Sequence, residues 1–285
     1  MNEERNRVMP ATLYLVATPI GNLDDMTLRG LKVLKECDFV AAEDTRVTGK
    51  LLSFFEIKKP LVTYEEHIKK SAGERILARL KAGESCALVT DAGTPAISDP
   101  GEDLVRLCVE NGIRVIAVPG ACAAVTALAA SGLSTVRFAF EGFLHGKDGQ
   151  KRERLSSLAG DPRTLVFYEA PHRLKDTLAL FSEAFGVDRR MVLCRELTKL
   201  NEEFLRLTVG EAQAYFEKNT PRGEFVLLVE GNEKGKVAFW ENMTVEEQVT
   251  YYQQTLGLDK MAAIKATAKD RSVPKNEIYR QLLDE

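Results

Sequence analysis

Four short segments of this chain carry most of the residues that could do chemistry. They read Thr18-Pro19-Ile20-Gly21-Asn22, Glu43-Asp44-Thr45-Arg46, the eleven residues from Asp91-Ala92-Gly93-Thr94-Pro95-Ala96-Ile97 to Gly101, and Pro119-Gly120-Ala121-Cys122. Carboxylates dominate them: Glu43, Asp44, Asp91 and Asp99, with Glu169 and Glu196 farther along. A carboxylate within hydrogen-bond reach of a hydroxyl can take its proton. The Glu43–Arg46 cluster adds an arginine, whose planar fork suits phosphate. The same spacing also fits an ion pair, with Asp44 capping the next helix, and the residues leave both roles open. Gly93 permits close backbone approach to a ligand, and Pro95 and Pro100 stiffen the loop around it.

These segments need elements to hold them. Apolar, β-branched runs at Thr12–Ala17, Phe39–Ala42, Leu61–Tyr64, Ala87–Thr90 and Arg114–Val118 read as strands. Helical patterns near Thr27–Glu36, Val47–Phe55, Gly73–Lys81 and Glu102–Glu110 alternate with them, and Gly83 and Gly112 stand where C-terminal caps belong. That alternation predicts an α/β fold with a mostly parallel N-terminal sheet. The four segments follow the first, second, fourth and fifth strands, on the edge where open parallel sheets bind ligands. Any one of them could be a plain turn. Eleven residues is long, however, against the ~2–6 usual for a strand-to-helix connection.

The second half has a small-residue helix at Ala121–Ala130. Strands are expected at Phe138–Phe143, Thr164–Tyr168, Met191–Arg195, Phe204–Val209 and Phe225–Glu230, with helices near Lys151–Leu158 and Leu174–Phe185. This predicts a second α/β domain with a mixed sheet. Past Lys236 only helical patterns remain, at Thr244–Leu256, Met261–Lys269 and Lys275–Leu283. The expected division is a flexible tail at 1–10, an N-terminal domain at 11–118, a second domain at 119–235 and a helical extension at 236–285.

Composition removes several function classes. The chain has 285 residues, 45% of them hydrophobic, with a net charge of −3. That is enough for a sizeable core, and too acidic overall for a broadly basic nucleic-acid binder. No apolar run reaches the ~18 residues of a membrane span, and MNEERNRVMP does not read as a secretory leader. Five scattered cysteines without a C-x-x-C pair point to reduced thiols in the cytoplasm. Three histidines at no ligand spacing point away from a metal. The glycine fingerprint of dinucleotide enzymes, the P-loop and the nucleophile elbow are all missing.

The ordered strings TPIGNL, AAEDTR, TDAGTPAISDPG, VPGACAA, EGFL, FYEAPHR, CRELTK and GEFVLLVEG resemble the ribosomal RNA small subunit methyltransferase I family, within the tetrapyrrole methylase superfamily. The resemblance runs from about Leu13 to Gly231, and the terminal KNEIYR resembles the helical extension of some members. It implies two α/β domains with S-adenosylmethionine held in the cleft between them. It implies donor contacts at Pro19, Gly21, Asp91, Ala92, Gly93, Ala96, Ile97, Ala121, Cys122, Tyr168 and Leu197. It further implies a homodimer that 2′-O-methylates a cytidine in the decoding region of 16S ribosomal RNA.

A ribose hydroxyl is a poor nucleophile while protonated, so a base would help. The carboxylates above are its candidates, with Glu43, Asp44 and Arg46 favoured as the catalytic set. Lys147, Lys151, Arg152, Arg154, Arg173 and Lys199 are candidate grips on RNA backbone, against a bland alternative of solvated surface. The tail from Lys260 to Arg280 sets six cations against two carboxylates and could dock on RNA as well. Rival readings are a small-molecule methylase on the same fold and a non-enzymatic RNA-binding assembly protein.

Overall fold

The computed structural model describes residues 7–232, 240, 243–271 and 273–282. The chain forms two compact units: Met1–Leu158 with Arg163–Gly231, and Ala159–Pro162 with Asn232–Glu285.

The first unit contains two five-stranded sheets. Strands β1 (Thr12–Val16), β2 (Phe39–Ala42), β3 (Leu61–Thr63), β4 (Cys86–Val89) and β5 (Arg114–Val118) are all parallel, in the order β3-β2-β4-β1-β5. The inner strands β2 and β4 are continuous apolar runs, buried at every residue, because both faces of the sheet are covered there. Alternate residues enter opposite cores. Tyr14, Val40, Ala87 and Val89 pack with Leu34 of α1 (Leu28–Glu36) and Leu52 of α2 (Thr45–Phe54). Leu13, Phe39, Cys86 and Leu88 pack with Ile76 and Leu80 of α3 (Lys69–Lys81) and Leu104 of α4 (Glu102–Glu110). Each fully buried Leu or Phe contributes about 1.5–3 kcal/mol. Gly83 and Gly112 follow α3 and α4 with φ of +98° and +70°, the left-handed cap expected of them.

The second sheet runs β6 (Phe138–Phe143), β7 (Thr164–Glu169), β10 (Phe225–Val229), β8 (Arg190–Arg195), β9 (Glu203–Thr208), named in spatial order. Only β6 and β7 are parallel, so the sheet is mixed. Helix α5 (Ala123–Ser131) lays Ala127 and Leu128 on one face, against Val166, Val192 and Val226. On the other face Phe167 meets Phe181 of α7 (Leu174–Phe185) with ring centroids 5.0 Å apart. Phe225 meets Phe216 of α8 (Val209–Lys218) at 5.8 Å. Helix α6 (Asp148–Leu158) precedes β7. The sequence reading missed α8 and carried the preceding strand one residue too far. Thr208 and Glu211 form a reciprocal capping box that starts the helix at Val209.

The second unit contains α9 (Val245–Leu256), α10 (Lys260–Asp270) and α11 (Lys275–Gln281), which pack through Val249, Ile264, Ala268 and Ile278. Of the tail expected at 1–10, residues 1–6 lie outside the described part. Val8 packs on the first core, and the Met9 N–H donates to the Tyr14 hydroxyl at 2.8 Å. Of the extension expected at 236–285, residues 236–239, 241–242, 272 and 283–285 lie outside the described part. Among the described residues no helix is long and apolar enough to cross a membrane.

Candidate active site

The loops at the carboxyl edge of the first sheet are bonded to one another. After β1, the Thr18 N–H donates to the Gly93 carbonyl at 2.9 Å, and the Gly93 N–H returns to Thr18 at 3.0 Å. The Thr18 hydroxyl donates to the Thr90 carbonyl at 3.0 Å. The Thr94 hydroxyl donates to the Ala121 carbonyl at 3.0 Å, joining the loops after β4 and β5. The Thr90 hydroxyl donates to Glu43 Oε2 at 2.8 Å, and the Asp44 N–H donates to Asp91 Oδ1 at 3.2 Å.

The loop after β4 owes its shape to several positive-φ residues. Gly93 has φ +90°, and the non-glycines Ala96 and Ser98 have +68° and +64°. Backbone held in that region is strained and persists only where its surroundings over-determine it. A Cβ on Gly120 would come 2.8 Å from the Ala17 Cβ, and one on Gly21 would come 2.4 Å from Lys199 Cγ. Glycine thus lets the loops after β5 and β1 close on their neighbours, and Gly21 brings the first sheet's edge against the segment after β8.

A cleft of about 590 Å³ opens between these loops and the second sheet. One wall is Glu43, Asp91, Ala92, Gly93, Thr94, Ile97, Ser98 and Asp99; Ile20, Cys122 and Ala123 adjoin it. The facing wall comes from the second sheet: Phe143, Tyr168, Glu169 and the turn Ala170-Pro171-His172, then Cys194, Leu197, and Glu224-Phe225-Val226. The Tyr168 hydroxyl accepts the Ala124 N–H at 3.1 Å, at the start of α5, and its ring packs edge-on against Phe140 and Phe143. Burial, then the nearby Cys122, pushes the Tyr168 phenol well above its ordinary range.

Seven of the eleven residues expected to contact a donor line this cleft: Asp91, Ala92, Gly93, Ile97, Cys122, Tyr168 and Leu197. Pro19, Gly21, Ala96 and Ala121 belong to the same loops without forming the wall. Ala121 supplies the carbonyl that holds Thr94, and Ala96 packs where a Cβ on Gly101 would fall, at 3.0 Å.

The favoured catalytic cluster separates. Glu43 lines the cleft. Asp44 caps α2 by accepting the Arg46 N–H at 2.7 Å, and it pairs with the Arg46 guanidinium at 2.6 Å. Those hydrogen bonds hold its carboxyl down at about 2.

Other carboxylates are also committed. Glu169, 3% exposed, accepts from Thr177 Oγ1 and pairs with Arg173 at 2.9 Å. Glu196 accepts the Glu224 N–H at 2.9 Å and pairs with Lys199, which also reaches Glu224 at 2.7 Å. Arg173 and Lys199 therefore brace the cleft's second wall. Asp99 differs from these: burial, then the charges of Glu43 and Asp91, raise it to about 6. Asp91 is raised too, by burial and then by Glu43.

Of the basic residues near α6, Lys147, Arg152 and Arg154 are exposed and Lys151 is half-buried. Lys151 stands 3.8 Å from Asp148, Arg152 pairs with Glu183 at 2.8 Å, and Arg154 with Glu141 at 2.6 Å. Among the described residues no three His, Cys, Asp or Glu side chains are arranged to hold a metal ion.

Sequence reasoning missed Glu224-Phe225-Val226. It sought ligand contacts at carboxyl ends of strands, but β10 runs antiparallel, so its first residue, Phe225, pairs with Glu169 and Arg195 at the cleft edge. The signal available was the polar Pro-Arg-Gly-Glu run before the last apolar strand.

Comparison with known proteins agrees with this architecture. Residues 12–213 match the family model described as Tetrapyrrole (Corrin/Porphyrin) Methylases. The chain is 51% identical to a ribosomal RNA small subunit methyltransferase I of Halalkalibacterium halodurans, over 94% of this chain and 93% of that one. It is 48% identical to the one of Bacillus subtilis, over 94% and 92%. A solved uroporphyrin-III C-methyltransferase from Thermus thermophilus, complexed with S-adenyl homocysteine, shares the fold. Its TM-score is 0.55 at 18% identity, covering 76% of this chain and 96% of that one.

Proposed function

Because the chain belongs to the ribosomal RNA small subunit methyltransferase I family, within the tetrapyrrole methylases, we propose that it transfers a methyl group from S-adenosylmethionine to the 2′-hydroxyl of a cytidine in the decoding region of 16S ribosomal RNA. The coarser statement, a methyltransferase of small-subunit ribosomal RNA, rests on the close relatives. The observation that supports donor binding is the cleft, and the cytidine 2′-hydroxyl is what the family resemblance implies. Asp91–Thr94 form part of one wall, and Ile20, Ile97, Leu197 and Val226 give the cleft an apolar lining.

The residues present fit the donor. Gly93, at φ +90°, offers main chain to the cleft with no side chain in front of it. Ile97, Leu197 and Val226 suit an adenine face, and Asp91 with Glu43 gives the wall the negative charge a sulfonium favours. S-adenosylmethionine, when bound, supplies an electrophilic methyl carbon. Asp91–Thr94, Cys122, Tyr168 and Leu197 would hold it. The chain's remaining work is to orient the acceptor oxygen in line, worth up to about 7–11 kcal/mol. Glu43 is the member of the Glu43-Asp44-Arg46 cluster placed to act in the cleft, with Asp44 and Arg46 fastening its segment to α2.

Exposed Lys147, Arg152 and Arg154, and the cations of α10 and α11, would meet RNA phosphates. The working protein would be a cytoplasmic homodimer, which sedimentation of the purified chain tests. The deciding experiment is transfer of labelled methyl from S-adenosylmethionine to isolated small subunits, followed by mapping of the modified ribose. Label on a base, or on a corrin or porphyrin precursor and no RNA, would refute the assignment.

A further inference from the structure

Three carboxylates share one wall of the cleft. Glu43 follows β2, while Asp91 and Asp99 belong to the loop after β4. None of the residues lining the cleft is a lysine or an arginine. Glu169 and Glu224, on the facing wall, already have cations in Arg173 and Lys199. Arg46, which acts on Asp91, is exposed and already paired with Asp44, so the first wall stays net anionic, which suits a cation and a neutral hydroxyl and repels a phosphate.

Within that wall the three groups are not equivalent. The Thr90 hydroxyl donates to Glu43 at 2.8 Å and is also a hydrogen-bond neighbour of Asp99. A hydroxyl has one proton to give, so while Glu43 holds it Asp99 receives none from Thr90. Asp91 accepts the Asp44 N–H. The backbone leading into Asp99 is constrained. Asp99 follows two strained residues, Ala96 and Ser98. A Cβ on Gly101 would come 3.0 Å from both Ala96 and Leu88, and one on Gly142 of β6 would come 3.2 Å from Ser98 Oγ. The loop is thus clamped from both sheets around this carboxylate.

We propose that Asp99 is the catalytic residue that accepts the ribose hydroxyl proton, working beside the Glu43 carboxylate that Thr90 fixes in place. This rests on the methyl-transfer reading above. In the step, the ribose O–H bond breaks and its proton passes to the Asp99 carboxylate. The oxygen's electron pair forms the new O–C bond. The methyl C–S bond breaks with its pair kept by sulfur, so the sulfonium charge is discharged as the carboxylate's is. The carboxylic acid then returns its proton to solvent. The groups facing Asp99 are Glu43 from the segment after β2, Asp91 and Thr90 from its own, and Tyr168 from β7. The two carboxylates make Asp99 a stronger base than an ordinary aspartate while leaving it ionised at neutral pH.

The test is single-turnover methyl transfer to small subunits at saturating S-adenosylmethionine across pH 5–9, with wild type, Asp99→Asn and Glu43→Gln, and donor affinity by calorimetry. Wild type should lose rate below a limb near pH 6. Asp99→Asn should slow transfer by about 10²–10⁴-fold with donor affinity unchanged. Glu43→Gln removes a charge that raises Asp99, so its limb should move to lower pH, which a merely structural Glu43 would not do. Unimpaired transfer by Asp99→Asn, or a rate loss matched by lost donor binding and a lower melting temperature, would overturn the proposal alone. No transfer by the wild type would overturn the function and the proposal together.

Discussion

Thr18 and Gly93 exchange both of their backbone hydrogen bonds, at 2.9 and 3.0 Å, and so lock the loop after β1 to the loop after β4. The pairing needs Gly93 at φ +90°, where an L side chain is strained by about 1–2 kcal/mol. The space itself is tolerable, since an added Cβ would meet Ile20 at 3.4 Å. Gly93→Ala should therefore fold with a lowered melting temperature, about 2–4 °C for each kcal/mol lost. Its donor affinity should fall more than its stability, because the strained loop forms one wall of the cleft. Scanning calorimetry beside donor titration measures the two; a variant with wild-type donor affinity would separate this loop from the donor.

Tyr168 of β7 holds the start of α5 through one polar atom. Its hydroxyl accepts the Ala124 N–H, in the first turn of α5, a helix whose preceding residue, Cys122, provides no side-chain cap. Tyr168→Phe leaves that N–H without its partner, at a cost of about 1–3 kcal/mol. The expected result is a lower melting temperature and weaker donor binding, with the aromatic packing against Phe140 and Phe143 kept. Equal stability of the two proteins in urea would show that the hydrogen bond carries nothing.

Much of this arrangement was readable from residue types alone. The run Phe39–Ala42 is β2 to the residue, because a strand buried on both faces leaves an unbroken apolar signature, and Arg114–Val118 matches the edge strand β5 at both ends. The cleft's first wall was readable because parallel strands present their carboxyl ends together. Its second wall was only partly so, since β10 reaches the same edge by its amino end. Glu43 and Asp44 could not be separated in sequence. Successive side chains of an extended segment leave on opposite sides, and only the fold shows that one meets the cleft and the other caps α2.

Asp99 gives a pH dependence with a definite sign. Burial and neighbouring carboxylates raise it to about 6 in the folded chain, against 3.8 for an ordinary aspartate. A raised folded value means the native state binds the extra proton, so its stabilisation is fully present below about pH 4 and is lost as pH rises through about 6. Asn carries no such charge. Asp99→Asn should therefore melt higher than wild type at pH 8, and the difference should shrink or vanish at pH 4. Together with slowed methyl transfer, that is the pattern of a group kept at the expense of stability. Melting curves at the two pH values decide it, and a variant less stable at pH 8 would count against a strained carboxylate.

The basic residues on and near α6 should separate by their partners. Arg154 pairs with Glu141, whose side chain is only 8% exposed, so Arg154→Ala strands a nearly buried carboxylate and should lower stability as well as RNA binding. Lys147 is exposed, and its loss should leave the melting temperature unchanged. If Lys147 touches a phosphate, Lys147→Ala should weaken subunit binding and flatten the slope of log affinity against log salt by about 0.7–0.9. Binding isotherms at several salt concentrations measure this directly. An unchanged slope would place the RNA on another face, and Arg154 would then matter only for holding Glu141 within β6.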